Sequence, residues 1–318
     1  MSVSTLLNHP GSSPAGARNR RSAVRLLAGV TALAILLLAG LTGCSLLGPK
    51  EVAIEDLAGR QVKVAAKPQR IVSLVPSNTE ILFALGLGNR VVGVSNFDNY
   101  PPEVAQIEKV GDAFKADYEK LVSLKPDLVL SARGSIVDEL TKLGITVVVV
   151  DAPDLSAVAG SIRFLGKVTG AAREAEKVAA EFEGKIQAVA SVTEKIGDAD
   201  RPLVYFEVSQ NPLWTIGPGS FMFDLVKMAG GKNLFPDARQ PYLEVGDEEV
   251  VSRNPGFVLL TFPYMKDVLA RPAWAAVSAV KTGKVYEVDG DIFSRPTPRL
   301  AQALEELVEM LHPGLLKR

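Results

Sequence analysis

Residues 70–80 have the sequence RIVSLVPSNTE, in which an apolar run stops at a proline and helix-forming residues follow at once. Because the run lacks a regular alternation of apolar and polar positions, residues 70–76 predict a strand that is buried on both faces. Ser77 and Glu80 have the spacing of a capping box, which predicts a helix over residues 78–85 that stops at Gly86. A buried strand that passes directly into a helix is typical of α/β folds.

The residues that follow repeat this alternation of strand and helix up to residue 154. Further strands are predicted at residues 91–94, 127–130 and 146–150, and helices at residues 118–124 and 135–143. Because the connections are short, the strands should be parallel and covered by helices on both faces. Residues 69–154 are therefore predicted to form an N-terminal α/β lobe.

A long helical stretch follows at residues 155–197, with a break at Gly170, and a second α/β unit occupies residues 198–318. In this unit strands are predicted at residues 203–208, 257–260 and 285–288, and helices at residues 221–229, 247–252 and 299–311. The predicted fold is α/β, with two parallel-sheet lobes joined by a single long helix. A ligand cleft is expected between the lobes, because such clefts commonly bind small molecules.

The two units share a short sequence pattern. VSLKPDLVL at residues 122–130 aligns with VSRNPGFVL at residues 251–259, and both segments predict a helix end, a proline turn and a strand. The alignment favours duplication of one lobe. The alternative is chance recurrence, since proline commonly follows a helix.

The N-terminal residues have the features of a secretory signal. Four arginines precede an apolar run at residues 30–39, and small residues lead to LTGC at residues 41–44. This motif resembles a bacterial lipobox, which predicts a signal peptide over residues 1–43 and a lipid on Cys44. Residues 44–68 are then expected to form a tether and an N-terminal hairpin. The alternative is an uncleaved N-terminal anchor, and both alternatives place the protein outside the cytoplasmic membrane.

The net charge argues against nucleic-acid binding, and the cysteine content excludes a disulfide within the chain. The chain has a net charge of −1, and removal of the four arginines in residues 1–43 leaves −5 for the mature protein. A mildly acidic surface argues against nucleic acid as a partner. Cys44 is the only cysteine, so no disulfide can form within the chain.

The sequence offers few groups for catalysis. Of its two histidines, His9 belongs to the predicted signal peptide and His312 lies near the C-terminus, and no G-x-S-x-G motif is present. A zinc site needs clustered cysteine or histidine residues, which this chain lacks. We therefore expect a protein that is not an enzyme and has no cofactor or metal of its own. The competing class is a secreted α/β enzyme that uses paired carboxylates.

Aromatic and charged residues are concentrated in the segments that follow the predicted strands. Such segments lie at the carboxyl ends of parallel strands, where α/β proteins bind ligands, and aromatic residues in loops have no core to fill. The candidate ligand-binding residues are Phe97, Tyr100, Phe114, Arg133, Trp214, Tyr242, Tyr264, Asp291 and Arg295.

Four motifs resemble the iron-siderophore/cobalamin class of ABC-transporter substrate-binding proteins, and most closely its cobalamin-binding members. They are PQRIVSLVPSNTE at residues 68–80, NYPP at residues 99–102, IEKVG at residues 107–111 and LKPDLV at residues 124–129. The resemblance implies two α/β lobes joined by one long helix, a captured metal chelate such as cobalamin, and delivery to an ABC permease with its ATPase. Members of this class catalyse no reaction. We expect a lipid-anchored monomer.

The resemblance extends to several candidate residues. Asp291 and Arg295 match an aspartate and an arginine, at the same spacing, in the last βα loop of the corrinoid-binding members. Trp214 matches an aromatic residue that follows an Asn-Pro pair, and Tyr242 matches another aromatic position. Aromatic walls with a few polar groups suit a corrinoid, which is large and flat and has amides at its rim.

Two tryptophans of those members are absent from this chain. Ala132 stands where one is expected, just before Arg133, and Phe114 lies near the position of the other. These differences keep a ferric siderophore or haem open as the ligand. An anionic ferric siderophore would favour Arg133 and Arg295 as partners.

The resemblance also implies two acidic residues that dock on the permease, one on the outer face of each lobe. Glu108 matches the first position, and Glu248 matches the second, with Glu249 as its competitor.

Because a helix resists bending, the helical connection also predicts that the lobes move little relative to each other.

Overall fold

The computed structural model describes residues 50–132 and 134–316. Its first element is the expected hairpin, in which β1 (Glu51–Glu55) pairs antiparallel with β2 (Gln61–Ala65). Across the described residues, no helix combines the length and the apolar character that crossing a membrane requires. Cys44 and the predicted signal peptide lie outside the described residues.

A buried aspartate attaches the hairpin to the first lobe. The carboxylate of Asp56 accepts hydrogen bonds from the backbone N–H and the guanidinium of Arg60, and one of 3.1 Å from the backbone N–H of Val149. Burial opposes ionisation of this carboxyl, but the hydrogen bonds from Arg60 and Val149 hold its pKa below the usual value of 3.8. The charged form of Asp56 therefore stabilises the folded state.

We expect the substitution Asp56→Ala to lower the free energy of unfolding by about 3 kcal/mol, because it leaves buried donors and a guanidinium without their partner. Urea unfolding at neutral pH measures this loss. The contribution is present above pH 3.8 and is lost as the pH falls below it, so the difference from wild type should shrink in acid. The control is Glu55→Ala, on an exposed side chain that bonds only to Gln61 in the described structure, with an expected change below about 0.5 kcal/mol. Equal losses in the two variants would contradict the role of Asp56.

The N-terminal lobe contains a parallel sheet, as predicted, and a short strand that was not predicted brings the number of its strands to five. Its strands are β3 (Ile71–Ser73), β4 (Val91–Val94), β5 (Glu108–Lys109), β6 (Leu128–Ser131) and β7 (Val147–Val149). The strand order is β5-β4-β3-β6-β7, and every neighbouring pair is parallel. The helices of the lobe are α1 (Pro76–Ala84), α2 (Tyr118–Ser123) and α3 (Ser135–Lys142).

The capping box predicted at the start of α1 is not formed. Pro76 begins the helix and Val75 is its N-cap, so Ser77 and Glu80 lie inside the helix and no side chain caps it. Proline is well suited to the first helical position, because its backbone has no N–H that needs a partner there. The Glu80 side chain is buried and points away from the helix start, toward the second lobe.

The connection between the lobes is two helices, α4 (Ala157–Thr169) and α5 (Ala172–Thr193). The break lies at Gly170, as predicted, and this residue ends α4 in the left-handed conformation with φ of 74°. Helix α4 packs against α1, whereas α5 packs against helices of the second lobe. The long connecting helix is therefore α5 alone, with 22 residues.

The C-terminal lobe contains a mixed sheet. Its strands are β8 (Leu203–Gln210), β9 (Leu213–Ile216), β10 (Lys232–Asn233), β11 (Tyr242–Glu244), β12 (Phe257–Leu260) and β13 (Val285–Glu287). The order is β11-β9-β8-β12-β13, with β10 beside β8. Strands β8, β12 and β13 are parallel as predicted, β10 is a further parallel strand, and β9 and β11 pair antiparallel at one edge. Neither β9 nor β11 was predicted from the sequence.

Helices cover the C-terminal sheet, and short turns link the elements of both lobes. The helices are α6 (Phe221–Met228), α7 (Asp247–Arg253), α8 (Met265–Leu269), α9 (Ser278–Lys281), α10 (Gly290–Phe293) and α11 (Leu300–Leu311). Turns of 3-10 helix occur at Gly88–Arg90, Pro102–Gln106, Asp198–Asp200 and Pro272–Ala276.

One apolar core runs through both lobes. Alternate residues of a strand point to opposite faces of its sheet, so Leu128 and Val129 belong to different clusters. The cluster that contains Leu128 continues through α4 and α5 to Phe206 and Leu259 of the C-terminal sheet. The opposite face of each sheet has a cluster of its own. The sheets are thus covered on both faces, and the connecting helices are part of the shared core.

The repeated sequence pattern has a matching backbone conformation. Lys125 and Asn254 occupy aligned positions before the prolines, and their φ angles are 46° and 49°. Among the described residues these are the two positions other than glycine with positive φ. The conformation is uncommon for side chains other than Asn, Asp and His. The coincidence at aligned positions supports the interpretation that the two lobes arose by duplication.

Candidate functional site

In each lobe the order of the strands reverses once along the sheet. The reversal lies between β3 and β6 in the N-terminal sheet and between β8 and β12 in the C-terminal sheet. The connections that leave two such strands run in opposite directions, so a crevice forms at the carboxyl ends of the strands, and ligands of α/β proteins bind there. The candidate site therefore lies at these two edges.

A cavity of about 440 Å³ lies at the reversal point of the C-terminal sheet. Its lining comes from the ends of β8 and β12 and from the loop after β13: Val208, Thr261, Phe262, Asp289, Gly290, Asp291 and Ser294. A Cβ atom on Gly290 would lie only 2.3 Å from the carbonyl oxygen of Thr261. Because only glycine permits this close approach, the loop after β13 is held directly against the end of β12.

Phe262 provides an exposed apolar surface at the cavity. Its side chain is 53% exposed, and its ring is stacked on that of Tyr264 with 6.0 Å between the centroids. Tyr264 was among the predicted ligand-binding residues, and Phe262 was not. Both residues belong to the segment TFPY at residues 261–264, which directly follows β12. This position after a strand is the signal that would have found Phe262.

Three predicted aromatic residues of the N-terminal lobe are exposed at the carboxyl ends of its strands. Phe97 is 63% exposed and Tyr100 is 42% exposed, and both follow β4. Phe114 is 94% exposed in the turn after β5, where Gly111 and Ala116 form an isolated bridge. Aromatic rings in these positions are available to a ligand.

The structure brings predicted residues of the two lobes into direct contact. The Arg295 guanidinium donates hydrogen bonds to the side-chain oxygen of Asn99, at 2.8 Å, and to the carbonyl oxygen of Phe97, at 3.1 Å. The carboxylate of Asp291 accepts hydrogen bonds from both Asn99 and Arg295. Phe97, Asp291 and Arg295 therefore meet where the lobes touch, beside the cavity. Asn99 was not among the predicted site residues.

Trp214 and Tyr242 lie in strands, not in the loops predicted for them. Trp214 in β9 pairs with Ser209 near the carboxyl end of β8, which places it at the edge of the sheet where the cavity lies. Tyr242 in β11 pairs with Ile216, farther along β9 from that edge. Burial raises the pKa of Tyr242 to about 12, and the charge of Asp151 contributes to the rise. The Tyr242 hydroxyl thus stays protonated and can donate a hydrogen bond.

A buried ion pair supports the loop that carries Phe262 and Tyr264. Both carboxylate oxygens of Glu207, in β8, accept hydrogen bonds from Arg271, at 2.8 and 2.9 Å. Burial raises the pKa of Glu207, and the hydrogen bonds from Arg271 oppose that rise. The Arg271 guanidinium also lies 4.6 Å from the centroid of the Trp274 ring. These contacts hold residues 261–271 against the sheet.

Arg133, another predicted ligand-binding residue, lies outside the described residues. Within residues 50–132 and 134–316, no group of three or more histidine, cysteine, aspartate or glutamate side chains is arranged to hold a metal ion. The described candidate site therefore consists of aromatic rings, amide and carboxylate groups and a buried arginine.

Comparison with protein families gives a match over most of the chain. The model of the family described as periplasmic binding protein matches residues 71–292. The chain is also similar to YvrC of Bacillus subtilis, named an uncharacterised ABC transporter substrate-binding lipoprotein. The two are 38% identical over 275 residues, which cover 84% of this chain and 87% of YvrC.

Two solved structures and one further relative show similarity over most of the chain. The vitamin B12-binding protein of Vibrio cholerae is 31% identical over 255 residues, covering 77% of this chain and 91% of that protein. The crystal structure of BtuF, the periplasmic vitamin B12-binding protein of Vibrio cholerae, has a TM-score of 0.69 at 28% identity, covering 79% of this chain and 99% of BtuF. The periplasmic haem-binding protein RhuT of Roseiflexus has a TM-score of 0.70 at 26% identity, covering 78% of this chain and 99% of RhuT.

Proposed function

Because this chain belongs to the periplasmic binding protein family, as a substrate-binding protein of an ABC transporter, we propose that its ligand is a corrinoid such as cobalamin. The observation that carries the proposal is the set of exposed aromatic rings at the cavity and at the facing strand ends of the N-terminal lobe. Such rings offer flat apolar surface to a large planar ligand. The similarity to vitamin B12-binding proteins supports the same ligand.

The polar groups of the site suit the amide rim of a corrinoid. Asp291 and Ser294 line the cavity, and Asn99 lies beside them. Their carboxylate, hydroxyl and amide groups can exchange hydrogen bonds with side-chain amides of the ligand. A corrinoid exceeds the cavity of about 440 Å³, so in this proposal it extends from Phe262 toward Phe97 and Phe114 of the opposite lobe.

The second candidate ligand is haem. Tyr100 is 42% exposed at the end of β4, and a tyrosine oxygen is one of the axial ligands that proteins provide for haem iron. The similarity to RhuT favours this alternative. An anionic ferric siderophore suits the described site less well than haem. The described arginines near the cavity are Arg295 and Arg299, and both already form ion pairs with Glu80.

The absorbance spectrum of protein purified from its own cells distinguishes these ligands. We expect the red bands of a corrinoid, and we expect the purified protein to bind added cyanocobalamin more tightly than hemin. Isothermal titration measures both affinities. A Soret band in the purified protein, with tight hemin binding and no cyanocobalamin binding, would show that the ligand is haem and not a corrinoid.

We expect Phe262→Ala and Trp214→Ala each to weaken cyanocobalamin binding by about ten-fold or more, because each removes an aromatic ring of the protein that packs against the ligand in this proposal. The matched control is Leu143→Ala, which removes a side chain of 56% exposure outside the cleft. Its affinity should equal that of wild type. If the two cleft variants also bind like wild type, the ligand lies elsewhere.

For docking, we propose one acidic residue on each lobe, in contact with arginines of the permease. Glu248 is exposed in the first turn of α7, whereas its competitor Glu249 forms an ion pair with Arg253 at 3.2 Å. Glu108, the acid that the sequence motif marks on the first lobe, forms an ion pair with Lys120 at 2.6 Å. These contacts support Glu248 on the second lobe.

The repeat between the lobes supports Glu119 as the acid on the first lobe. When the alignment of residues 122–130 with residues 251–259 is extended by three residues toward the N-terminus without a gap, Glu119 lies opposite Glu248. Glu119 is exposed in the first turn of α2, as Glu248 is in α7. We therefore propose Glu119 with Glu248 as the docking pair, and keep Glu108 as the sequence-based alternative.

A lipid on Cys44, supported by the name of YvrC, would hold the protein at the extracytoplasmic face of the membrane.

A further inference from the structure

Glu80 is a buried acid whose partners belong to the opposite lobe. It lies in α1 of the N-terminal lobe and is 4% exposed. Its Oε1 atom accepts a hydrogen bond of 2.9 Å from Arg295 and one of 3.3 Å from Arg299. Both arginines belong to the C-terminal lobe, and Arg299 lies in the turn that begins α11. One carboxylate oxygen therefore joins the two lobes through two guanidinium groups.

The same arginines make further contacts across the lobe boundary. Arg295 donates to the Asn99 side chain and to the Phe97 carbonyl oxygen, and its own side chain is only 10% exposed. The Arg299 guanidinium lies over the ring of Tyr100, 3.9 Å from its centroid. Every contact in this set joins a residue of the N-terminal lobe to one of two arginines of the C-terminal lobe.

We propose that Glu80, Arg295 and Arg299 form an inter-lobe clamp that sets the width of the cleft before ligand binds. Separation of the lobes would leave the buried carboxylate of Glu80 without its two arginines and Arg295 with Asp291 as its remaining acidic partner, and an uncompensated buried charge strongly destabilises a protein. Glu80 does not line the cavity, so it acts as a positioning residue for the two arginines. A site whose width is fixed in advance loses less entropy when ligand binds.

In this proposal the clamp restricts motion of the lobes relative to each other more than the connecting helices do. The helical connection is interrupted at Gly170, which lies between α4 and α5. The clamp lies away from this connection, where Glu80 of the N-terminal lobe forms ion pairs with Arg295 and Arg299 of the C-terminal lobe. The arrangement of the lobes is thus fixed at two places, by the shared apolar core and by Glu80.

Spin labels on the two lobes test the clamp directly. Lys142 and Lys281 are exposed at helix ends in opposite lobes, and Cys44 is the only native cysteine. In the full chain with Cys44→Ser, the substitutions Lys142→Cys and Lys281→Cys provide the sites for the labels, and double electron–electron resonance measures the distance between them. We expect one narrow distance distribution, unchanged by cyanocobalamin, and a broad distribution that includes longer distances in Glu80→Gln.

The matched control is Glu207→Gln, which breaks another buried pair of glutamate and arginine. Glu207 and Arg271 both belong to the C-terminal lobe, so their pair does not cross the lobe boundary. The control should lose thermal stability and keep the narrow distance distribution. If Glu80→Gln keeps that distribution, or if Glu207→Gln broadens it equally, the clamp is refuted. Arg299→Gln, at a side chain of 19% exposure, is the milder variant and should broaden the distribution less.

Ligand affinity provides a second readout, which rests on the proposed function. If Glu80→Gln leaves about one molecule in ten with the clamped arrangement, its affinity for cyanocobalamin falls about ten-fold. The distances are measured without ligand, so failure of the wild-type protein to bind cyanocobalamin would overturn the proposed ligand and leave the test of the clamp intact. Broad distances with unchanged affinity would show that the clamp does not set the binding geometry.

Discussion

Cells whose only copy of this protein carries Glu119→Lys and Glu248→Lys should lose uptake of cyanocobalamin to the level of a deletion strain. The two acids lie on different lobes, each in the first turn of its helix, so each can meet one of two arginines on the permease. Reversal replaces two attractions by two repulsions, and charges at an interface fix its register and speed association. Neither residue lines the described cavity, so cyanocobalamin affinity of the purified protein should stay unchanged.

Two comparison variants make this result specific. Glu174→Lys with Glu305→Lys changes the net charge equally on exposed residues of α5 and α11, and uptake should continue. Glu108→Lys with Glu248→Lys tests the acid that the sequence motif marks. If this pair stops uptake and the pair with Glu119 does not, Glu108 is the docking residue. A loss of ligand affinity in the purified Glu119 and Glu248 variant would place these acids in the cleft instead.

The substitution Cys44→Ala should abolish lipid attachment completely. The sequence LTGC at residues 41–44 predicts cleavage before the cysteine and attachment of lipid to its thiol through a thioether bond. Each buried methylene of an acyl chain contributes about 0.8 kcal/mol, so two chains hold a protein stably on a bilayer. Mass spectrometry of the wild-type protein should find an N-terminus at lipid-modified Cys44. The variant should have no lipid and should keep residues 1–43, which increases its size on a gel.

The control for this experiment is Thr42→Ala, which keeps a small residue before the cleavage site. It should be processed and acylated like wild type. If the Cys44→Ala protein has the same size and the same membrane fraction as wild type, the N-terminus is an uncleaved anchor and the cysteine is incidental.

Parts of the candidate site could be predicted from the sequence because their signal is local. Phe97, Tyr100 and Tyr264 follow apolar strands, and a strand end is visible in the sequence as the end of an apolar run. Phe262 has the same signal and was missed beside Tyr264. Trp214 was assigned to a loop because it follows the turn at Asn211 and Pro212, but that turn joins β8 to β9, which pairs antiparallel with β8.

The partners of the charged residues had no local signal. Glu80 has the spacing of a capping box, but the helix begins at Pro76, so Glu80 lies inside the helix and does not cap it. Its actual partner, Arg295, lies 215 positions away along the chain. Arg295 was selected as a ligand contact, yet its guanidinium bonds to Glu80, Asn99, Phe97 and Asp291.

By itself the sequence determined the alternation of strands and helices, the division into two lobes, the break at Gly170 and the repeat that aligns Lys125 with Asn254. These features follow from apolar periodicity, glycine and proline, which act over a few neighbouring residues. The tertiary structure decided which charges meet across the lobes and which aromatic rings stay exposed at the cleft. Those properties depend on residues far apart in the chain, because a buried carboxylate is stable only where the fold brings a cation to it.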